Sequence, residues 1–412
     1  MTANPLSPDY DLIVVGGGAV GENVADYAAK RGARVAIVES ELVGGECSYW
    51  ACMPSKALLR SGHAVSDARR LAGAREAVTG DIDADAVLAR RTSFTDGWSD
   101  DGQIAWLESA GIDLIRGHAH ITGVRQVTVG DRILTGRAIA LATGSVPVLP
   151  PIPGLADAAP WGTREATSAD HAPKRLIIIG GGVAGTELAF AFSSLGSHVT
   201  LLSRSRLLDR EEPFAGEQVA DALGAEGVVV DTAASPDRVE RLADGTVAVH
   251  LASGATLHAD ELVVSTGRRP DTDTLGLEAI GLDPSTGITV DDTMLVDGTD
   301  WLYAVGDLNG RAMLTHQGKY QARAAGEAIA ARLAGEPVDD RQWGRHVASA
   351  DHTAVPRVVF SDPEVAAVGI TEDTARRADL HYRAVEYDLG EVAGAKLHAD
   401  GYRGRAKLIV DE

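Results

Sequence analysis

The stretch that decides the fold is residues 11–21, which read DLIVVGGGAVG. Its first five residues form an apolar run that is typical of a buried parallel strand. Gly16, Gly18 and Gly21 follow in G-x-G-x-x-G spacing, which permits a tight turn, close approach of the backbone to a diphosphate, and close packing of a helix on the strand. A second apolar run ends at Glu39, where a carboxylate can accept hydrogen bonds from a ribose diol. The context of strand, helix, strand and acid predicts a dinucleotide-binding unit rather than a glycine-rich turn without a ligand.

The same pattern returns in the middle of the chain, after an apolar run at 176–179. The three glycines of this second fingerprint are Gly180, Gly182 and Gly185. The position that corresponds to Glu39 is occupied by Ser203, and Arg204 and Arg206 follow it closely. An acid suits a ribose 2′-hydroxyl, whereas small polar and arginine side chains suit a 2′-phosphate. We therefore expect NADPH rather than NADH at this loop; the alternative is that both arginines only form a solvated surface.

Both cysteines of the chain lie in residues 44–56, which read GGECSYWACMPSK. If this segment turns helically, Cys47 and Cys52 lie little more than one turn apart, close enough for a disulfide after modest distortion. A thiol near a helix N-terminus is acidified, and a nearby cation such as Lys56 lowers a thiol pKa further. The pattern is consistent with a redox-active dithiol; the alternative is two buried structural cysteines that act as small apolar residues.

The composition limits the partners and the location of the protein. The chain has 412 residues, 45% apolar residues and a formal net charge of −21. This acidic balance disfavours nucleic acid and anionic membrane as partners. Two cysteines cannot form a secreted disulfide framework, no apolar run is long enough to span a bilayer, and no signal peptide is visible in residues 1–11. We therefore expect a cytoplasmic protein.

Seven motifs in order resemble the class I pyridine nucleotide–disulfide oxidoreductases, which include dihydrolipoyl dehydrogenase, glutathione and mycothione reductases, and mercuric reductase. The resemblance covers essentially the whole chain. Its carriers are 16–21 with Glu39, 47–56, 142–144, 180–187, 267–270, 303–307 and 356–369. It implies an α/β fold with two Rossmann-like dinucleotide-binding domains, one for FAD and one for NAD(P), plus an incomplete α+β dimerisation domain. The domains are then 1–149 (FAD, first part), 150–270 (NAD(P)), 271–337 (FAD, second part) and 338–412 (dimerisation).

The resemblance also implies residue roles. Cys52 is the thiol beside the flavin, Cys47 is the interchange thiol that attacks the substrate, and Lys56 pairs with Glu187 near the flavin. The residues implied for FAD are Gly16, Gly18, Gly21, Glu39, Gly45, Lys56, Thr143, Gly144, Asp307 and His316. The residues implied for NADPH are Gly180, Gly182, Gly185, Ser203, Arg204 and Gly267. Electrons pass from NADPH through FAD to the Cys47–Cys52 disulfide and then to an acceptor.

This chain departs from the family pattern in two ways. Around the cysteines the family has threonine, small and aliphatic residues and a glycine, where this chain has Glu46, Ser48, Tyr49, Trp50 and Ala51. The family also continues for about fifty more residues, with a His-Pro and Glu pair that serves as acid and base for the partner subunit's dithiol. That pair is not within the 412 residues, so we expect the dimerisation domain to be incomplete here and a homodimer to form in the full-length protein.

Three functions are consistent with this sequence. The first is an NADPH-dependent reductase of a disulfide or a metal–thiol acceptor. The second is a quinone or dye reductase, or a transhydrogenase, from which electrons leave at the flavin. The third is a nucleotide-sensing or structural flavoprotein without turnover. Both cysteines are present, which favours the first, but the sequence does not identify the acceptor.

Overall fold

The computed structural model describes residues 8–412, so residues 1–7 of the N-terminal segment discussed above lie outside it. The chain divides into two compact units. Unit 1 comprises Met1–Tyr49, Asp96–Val146 and Arg268–Val355, and unit 2 comprises Trp50–Thr95, Pro147–Gly267 and Pro356–Glu412. Among residues 8–412, no helix has both the length and the apolar character needed to cross a bilayer.

Strands and helices alternate around the two glycine loops, whereas runs of helices or of strands make up much of the rest of the chain. The helices are α1 (Ala19–Ala29), α2 (Gly45–Tyr49), α3 (Cys52–Arg69), α4 (Ala84–Phe94), α5 (Asp101–Ser109), α6 (Thr163–Ser168), α7 (Val183–Ser194), α8 (Pro213–Ala225), α9 (Thr315–Ala334), α10 (Glu372–Arg377) and α11 (Ala393–His398). The strands are β1 (Tyr10–Val15), β2 (Val35–Glu39), β3 (Asp113–Arg116), β4 (Ala119–Gly123), β5 (Gln126–Val129), β6 (Arg132–Leu141), β7 (Ser145–Pro147), β8 (Arg175–Ile179), β9 (His198–Leu202), β10 (Val229–Asp231), β11 (Pro236–Arg241), β12 (Val247–Leu251), β13 (Thr256–Ala259), β14 (Glu261–Val264), β15 (Arg268–Pro270), β16 (Leu302–Ala304), β17 (Pro356–Val359), β18 (Val365–Val368), β19 (Tyr382–Asp388) and β20 (Arg405–Asp411).

Unit 1 is built on a sheet in the order β3-β2-β1-β6-β5-β4, with β16 also paired to β6. The pairs among β3, β2, β1, β6 and β16 are parallel, whereas β4, β5 and β6 pair antiparallel. Side chains of β1 alternate between two cores, because Leu12 and Val14 pack on one face and Ile13 and Val15 on the other. A parallel strand buried on both faces is what the apolar run at 11–15 predicts.

The turn after β1 requires glycine because helix and strand approach each other closely. Gly16 has a φ of +101°, in the left-handed region that favours glycine. A Cβ atom on Gly21 would lie 1.9 Å from the Gly16 carbonyl oxygen. The first turn of α1 therefore packs directly on the backbone that leaves β1, and the helix N-terminus points to the carboxyl edge of the sheet.

Unit 2 repeats this arrangement with a parallel sheet in the order β10-β9-β8-β14. An antiparallel sheet, β11-β12-β13, and two antiparallel pairs, β17-β18 and β19-β20, complete it. The strand β19 was not predicted from the sequence, because nearly all of its residues are exposed and its apolar residues do not mark a buried face. Helix α3 begins at Cys52, so that the second cysteine lies in its first turn.

Glu22, in the first turn of α1, generates a stability prediction. Its Oε1 atom is buried and accepts no hydrogen bond within the described part of the chain. Burial raises the pKa of this carboxyl from 4.5 to about 7, although Lys319 opposes the shift. Because the folded protein holds this proton more tightly than the unfolded chain, the carboxyl lowers stability as the pH rises from below 4.5 through about 7.

We expect Glu22→Gln to raise the free energy of unfolding by about 1–3 kcal/mol at pH 8 and to change it little at pH 5, because the substitution removes a buried charge. Urea unfolding at the two pH values measures this. Asp26→Asn on the same helix is the control: Asp26 pairs with Lys30 at 2.6 Å, so its loss should bring no gain at pH 8. An equal effect of Glu22→Gln at both pH values would contradict the prediction.

Candidate active site

The helix that carries Cys47 begins against the first glycine loop, within unit 1. Gly18 and Gly44 form an isolated parallel bridge. Gly45 has a φ of +58°, and a Cβ on it would lie 2.8 Å from the Gly18 Cα atom. The predicted residues Gly16, Gly18, Gly45 and Cys47 are therefore brought to one edge of the sheet, with Cys47 partly exposed in the first turn of α2.

This loop has the features that a diphosphate needs. Gly18 is the N-cap of α1, has no side-chain cap, and has open space at its Cβ position, where the nearest atom lies 3.9 Å away. The free N–H groups and the helix dipole at such an end favour an anion. Glu39 accepts hydrogen bonds from the Gly17 and Glu41 N–H groups, both at 2.7 Å, so its carboxylate is held beside the loop. The residues present fit the ADP portion of FAD.

A hydrogen-bonded network next to this loop includes residues that sequence reasoning did not assign. Arg268 Nη2 donates to Glu46 Oε2 at 2.7 Å, and its Nε donates to Ser145 Oγ at the same distance. Ser145 Oγ in turn donates to Asp307 Oδ2 at 2.7 Å. The predicted residues Thr143 and Gly144 directly precede Ser145 in the chain; the Thr143 hydroxyl donates to the Asp271 carbonyl oxygen, and the Gly144 carbonyl accepts from the Asp271 N–H. The only signals for this network in the sequence were the unusual acid at Glu46 and the position of Arg268 within a recognised motif.

Helix α9 positions the loop that carries Asp307. Gln321 Oε1 accepts hydrogen bonds from the Gly306 N–H at 2.8 Å and from Asn309 Nδ2 at 2.9 Å. His316 lies in the first turn of the same helix and is exposed. The geometry thus brings Asp307 into the network described above and leaves His316 at the start of α9, one residue before the buried Gln317.

In unit 2, Cys52 is the first residue of α3, and Lys56 lies one turn further along that helix. The Lys56 Nζ atom is 2.7 Å from Glu187 Oε2 and lies over the Phe360 ring, 4.6 Å from its centroid. Glu187 Oε1 accepts a hydrogen bond from the Phe360 N–H at 3.0 Å. The Glu187 side chain is only 5% exposed, so the two oxygens of a buried carboxylate are both satisfied. This pair ties the helix that begins at Cys52 to α7, the helix of the second glycine loop.

The second glycine loop has the geometry of the first. A Cβ on Gly185 would lie 1.9 Å from the Gly180 carbonyl oxygen, whereas Gly182, the N-cap of α7, has no atom within 4 Å of its Cβ position. Ser203 is buried at the end of β9, and the Gly181 Cβ position lies 2.4 Å from its Oγ. Gly267 is the last residue of the segment Pro147–Gly267 of unit 2, and its carbonyl accepts a hydrogen bond from the Val148 N–H. The loop fits a dinucleotide diphosphate at the N-terminus of α7.

The two arginines after Ser203 differ in their surroundings. Arg206 donates from its guanidinium to the carbonyl oxygens of Leu208, Asp209 and Glu211. Arg204 is exposed beside Ser203. Arg206 therefore fixes its own loop, and Arg204 is the better placed of the two to meet a phosphate.

Trp50 is a further fixed residue of the cysteine segment, and its contacts could not be predicted from the sequence. The Arg164 guanidinium lies 3.6 Å from the centroid of its ring, and Thr167 Oγ1 donates to its carbonyl oxygen at 2.7 Å. The Thr167 and Ala169 carbonyls in turn accept hydrogen bonds from the buried Arg91. The residue two positions before Cys52 is thus held against α6.

Known proteins are similar to this chain over most of its length. The sequence family described as pyridine nucleotide-disulphide oxidoreductase matches residues 10–322, and the dimerisation domain of the same name matches residues 355–412. A mercuric reductase from Shigella flexneri is 34% identical over 415 residues, which cover 97% of this chain and 70% of the relative. A dihydrolipoyl dehydrogenase from Chlorobaculum tepidum is 32% identical over 425 residues, which cover 99% of this chain and 86% of the relative.

A solved structure is similar over almost the whole chain. The HOCl-induced flavoprotein disulfide reductase RclA from Escherichia coli has a TM-score of 0.81 at 26% sequence identity, with 98% of this chain and 87% of that chain covered. That protein is described as a flavoprotein and a disulfide reductase.

The Lys56–Glu187 pair generates a prediction about stability. Lys56→Met leaves the buried Glu187 carboxylate without its cation, and we expect the free energy of unfolding to fall by about 1–3 kcal/mol, less than for a fully buried pair because Lys56 is 36% exposed. The double variant Lys56→Met/Glu187→Gln should recover part of this loss, since no unpaired charge remains. Urea unfolding measures both, and a single variant within about 0.5 kcal/mol of the parent would contradict the prediction.

Proposed function

Because this chain belongs to the pyridine nucleotide–disulphide oxidoreductase family, we propose that it is an FAD-dependent reductase that passes electrons from NADPH to a Cys47–Cys52 pair and then to a disulfide or metal–thiol acceptor. Members of this family use FAD and NAD(P)H. The observation that carries the proposal is the Lys56–Glu187 ion pair of 2.7 Å. It fixes the helix that begins at Cys52 to the helix whose N-terminus is suited to the nicotinamide cofactor, and a relay from nucleotide to dithiol needs such a fixed arrangement.

When bound, FAD supplies the chemistry that accepts a hydride from the nicotinamide and delivers two electrons to a disulfide. Gly16, Gly18 and Gly21 would hold its diphosphate, Glu39 would bind the adenosine ribose, and Asp307 would lie on the ribityl side. Lys56 would place a positive charge near the ring system, held there by Glu187. The remaining residues proposed to contact FAD are Gly45, Thr143, Gly144 and His316.

The exchange step belongs to the cysteines. The Cys47 thiolate attacks one sulfur of the acceptor disulfide, forms a mixed disulfide and releases the first thiolate. The Cys52 thiolate then attacks the Cys47 sulfur, forms the Cys47–Cys52 disulfide and releases the second thiolate. The acceptor gains two electrons and, with two protons from solvent, leaves as two thiols. NADPH and a proton regenerate the dithiol and leave NADP⁺.

The proposed acceptor class rests on the relatives and on the two cysteines. Mercuric reductases and a dihydrolipoyl dehydrogenase are among the relatives, and RclA is described both as a disulfide reductase and in a Cu(II) complex. A small disulfide and a soft metal ion bound by thiolates can both react with a partly exposed thiol such as that of Cys47. These names support a disulfide or metal–thiol acceptor for this chain, with a quinone as the alternative to be tested.

We also propose a homodimer formed through the dimerisation domain at residues 355–412. Large apolar side chains in this region are exposed, and they include Val368, Leu397 and Leu408 at 65%, 84% and 66%. Apolar surface of this kind is what a subunit interface covers.

An anaerobic titration with NADPH, followed by the visible spectrum, tests the electron path. We expect the parent protein to develop a long-wavelength charge-transfer absorbance at two electrons per subunit, because in the proposed arrangement the Cys52 thiolate would lie beside the oxidised flavin. Cys52→Ser should lose this absorbance, and Cys47→Ser should keep it while losing reduction of a disulfide such as DTNB. Bleaching of the parent without this absorbance, with quinone reduction unchanged in both cysteine variants, would favour the quinone reductase instead.

Nucleotide preference gives a separate test. We expect Arg204→Ala to lower kcat/KM for NADPH by about 10–30-fold, the loss of one charge-assisted hydrogen bond to the 2′-phosphate, and to leave NADH little changed. Arg210→Ala is the matched control, since Arg210 is an exposed arginine on the same loop. Equal effects of Arg204→Ala on NADPH and NADH would show that Arg204 does not recognise the 2′-phosphate.

A further inference from the structure

The short helix α2 is held at both ends by side chains, those of Glu46 and Tyr49. Both are among the residues at which this chain departs from the family pattern that it resembles. Helix α2 contains only Gly45–Tyr49, with Cys47 in the middle. A five-residue helix is far too short to be stable by itself, because the free-energy cost of nucleating it exceeds the stabilisation from the hydrogen bonds of a single turn. The position of Cys47 therefore depends on what holds the two ends of this helix.

The N-terminal anchor is the carboxylate of Glu46. It accepts a hydrogen bond from Arg268 Nη2 at 2.7 Å, with the two side chains 43% and 29% exposed. Arg268 is itself fixed, because it also donates to the hydroxyl and the carbonyl oxygen of Ser145. The first turn of α2 is thereby tied to β7 and β15, and a carboxylate there is also favoured by the helix dipole.

The C-terminal anchor is Tyr49, which is 2% exposed. Its hydroxyl lies 3.0 Å from the Ser99 carbonyl oxygen and 3.1 Å from Gln103 Oε1, and both oxygens are acceptors for its proton. The Trp98 indole N–H donates to the Tyr49 carbonyl oxygen at 3.2 Å. Burial raises the pKa of Tyr49 to about 12, so the hydroxyl remains a donor at neutral pH. The last residue of α2 is thus fixed to residues 98–103, at the start of α5.

We propose that Glu46 and Tyr49 are positioning residues that hold the helix of Cys47 at its two ends and so present this thiol to the acceptor in one orientation. The inference rests on the proposed role of Cys47 as the interchange thiol. Its physical basis is preorganisation: a thiolate held in the direction of attack avoids the ordering cost that a mobile turn would add to each exchange.

The test exploits the fact that the chain has only two cysteines. In a Cys52→Ser background every alkylation event reports Cys47, and in a Cys47→Ser background every event reports Cys52. Iodoacetamide is applied to the FAD-loaded full chain, and the rate is followed by intact mass. We expect Tyr49→Phe and Glu46→Ala each to raise the rate at Cys47 about 3–10-fold, the effect of removing one hydrogen bond from a local opening equilibrium, and to leave Cys52 within twofold.

Further variants separate positioning from general loss of structure. Glu46→Gln should restore most of the parent rate, because its amide oxygen still accepts a hydrogen bond from Arg268. Glu46→Ala/Tyr49→Phe should multiply the two single effects, since the anchors lie at opposite ends of α2 and share no partner. Tyr27→Phe and Glu108→Gln are the matched controls within unit 1 and should leave Cys47 at the parent rate.

Three results would overturn the inference: Cys47 rates within twofold of the parent in both single variants, equal increases at Cys47 and Cys52, or no recovery with Glu46→Gln. Alkylation requires no electron transfer. Failure of the proposed function would appear as a missing charge-transfer absorbance and absent disulfide reduction. The alkylation rates would still test the positioning of Cys47 independently of that result.

Discussion

Both units depend on a backbone contact that leaves no room for a side chain. In each, the last glycine of the fingerprint presses against the carbonyl oxygen of the first, so that a Cβ atom on Gly21 or Gly185 would lie 1.9 Å from that oxygen. This contact sets the N-terminus of the following helix directly over the end of the central strand. The middle glycines, Gly18 and Gly182, then have open space where a side chain would project. Close packing at one glycine and open space at another together create a place for a diphosphate.

In unit 2, the position of a proposed site residue depends on how the fold neutralises one buried charge. Glu187 is a buried carboxylate, and it is acceptable in α7 only because Lys56 and the Phe360 N–H satisfy its two oxygens. The same contact determines where Lys56 can be. A residue that is costly to bury thus fixes the position of a cation one turn beyond Cys52, which links a requirement of stability to the proposed site.

The sequence predicted the elements whose signal is local. The strand, glycine turn and helix of both fingerprints follow from residues adjacent in the chain, and the family and fold class predicted from seven ordered motifs are confirmed. The contacts that could not be predicted join residues distant in sequence. Glu46 and Arg268 are 222 positions apart, and neither side chain indicates its partner. Arg206 shows the opposite problem, because its type suggested a phosphate ligand while its guanidinium is used by three nearby carbonyl oxygens. The roles assigned to individual residues stay predictions, since they concern contacts with bound FAD and bound nucleotide.

The departures around the cysteines have a structural reason that the motif alone does not reveal. Bulk between Cys47 and Cys52 first suggests a change in the substrate pocket. Yet Tyr49 is buried with its hydroxyl bonded to residues 99 and 103, and Trp50 is covered by Arg164 and bonded through its carbonyl to Thr167. The Tyr49 side chain is therefore packed in the protein interior, and the Trp50 ring is packed against a side chain of the same protein. A segment of small residues would rely on backbone contacts to hold its thiols, whereas here each large side chain adds a specific partner. The simplest physical consequence is a stiffer dithiol segment, so a difference in acceptor from other family members would reflect how Cys47 is held as well as what surrounds it.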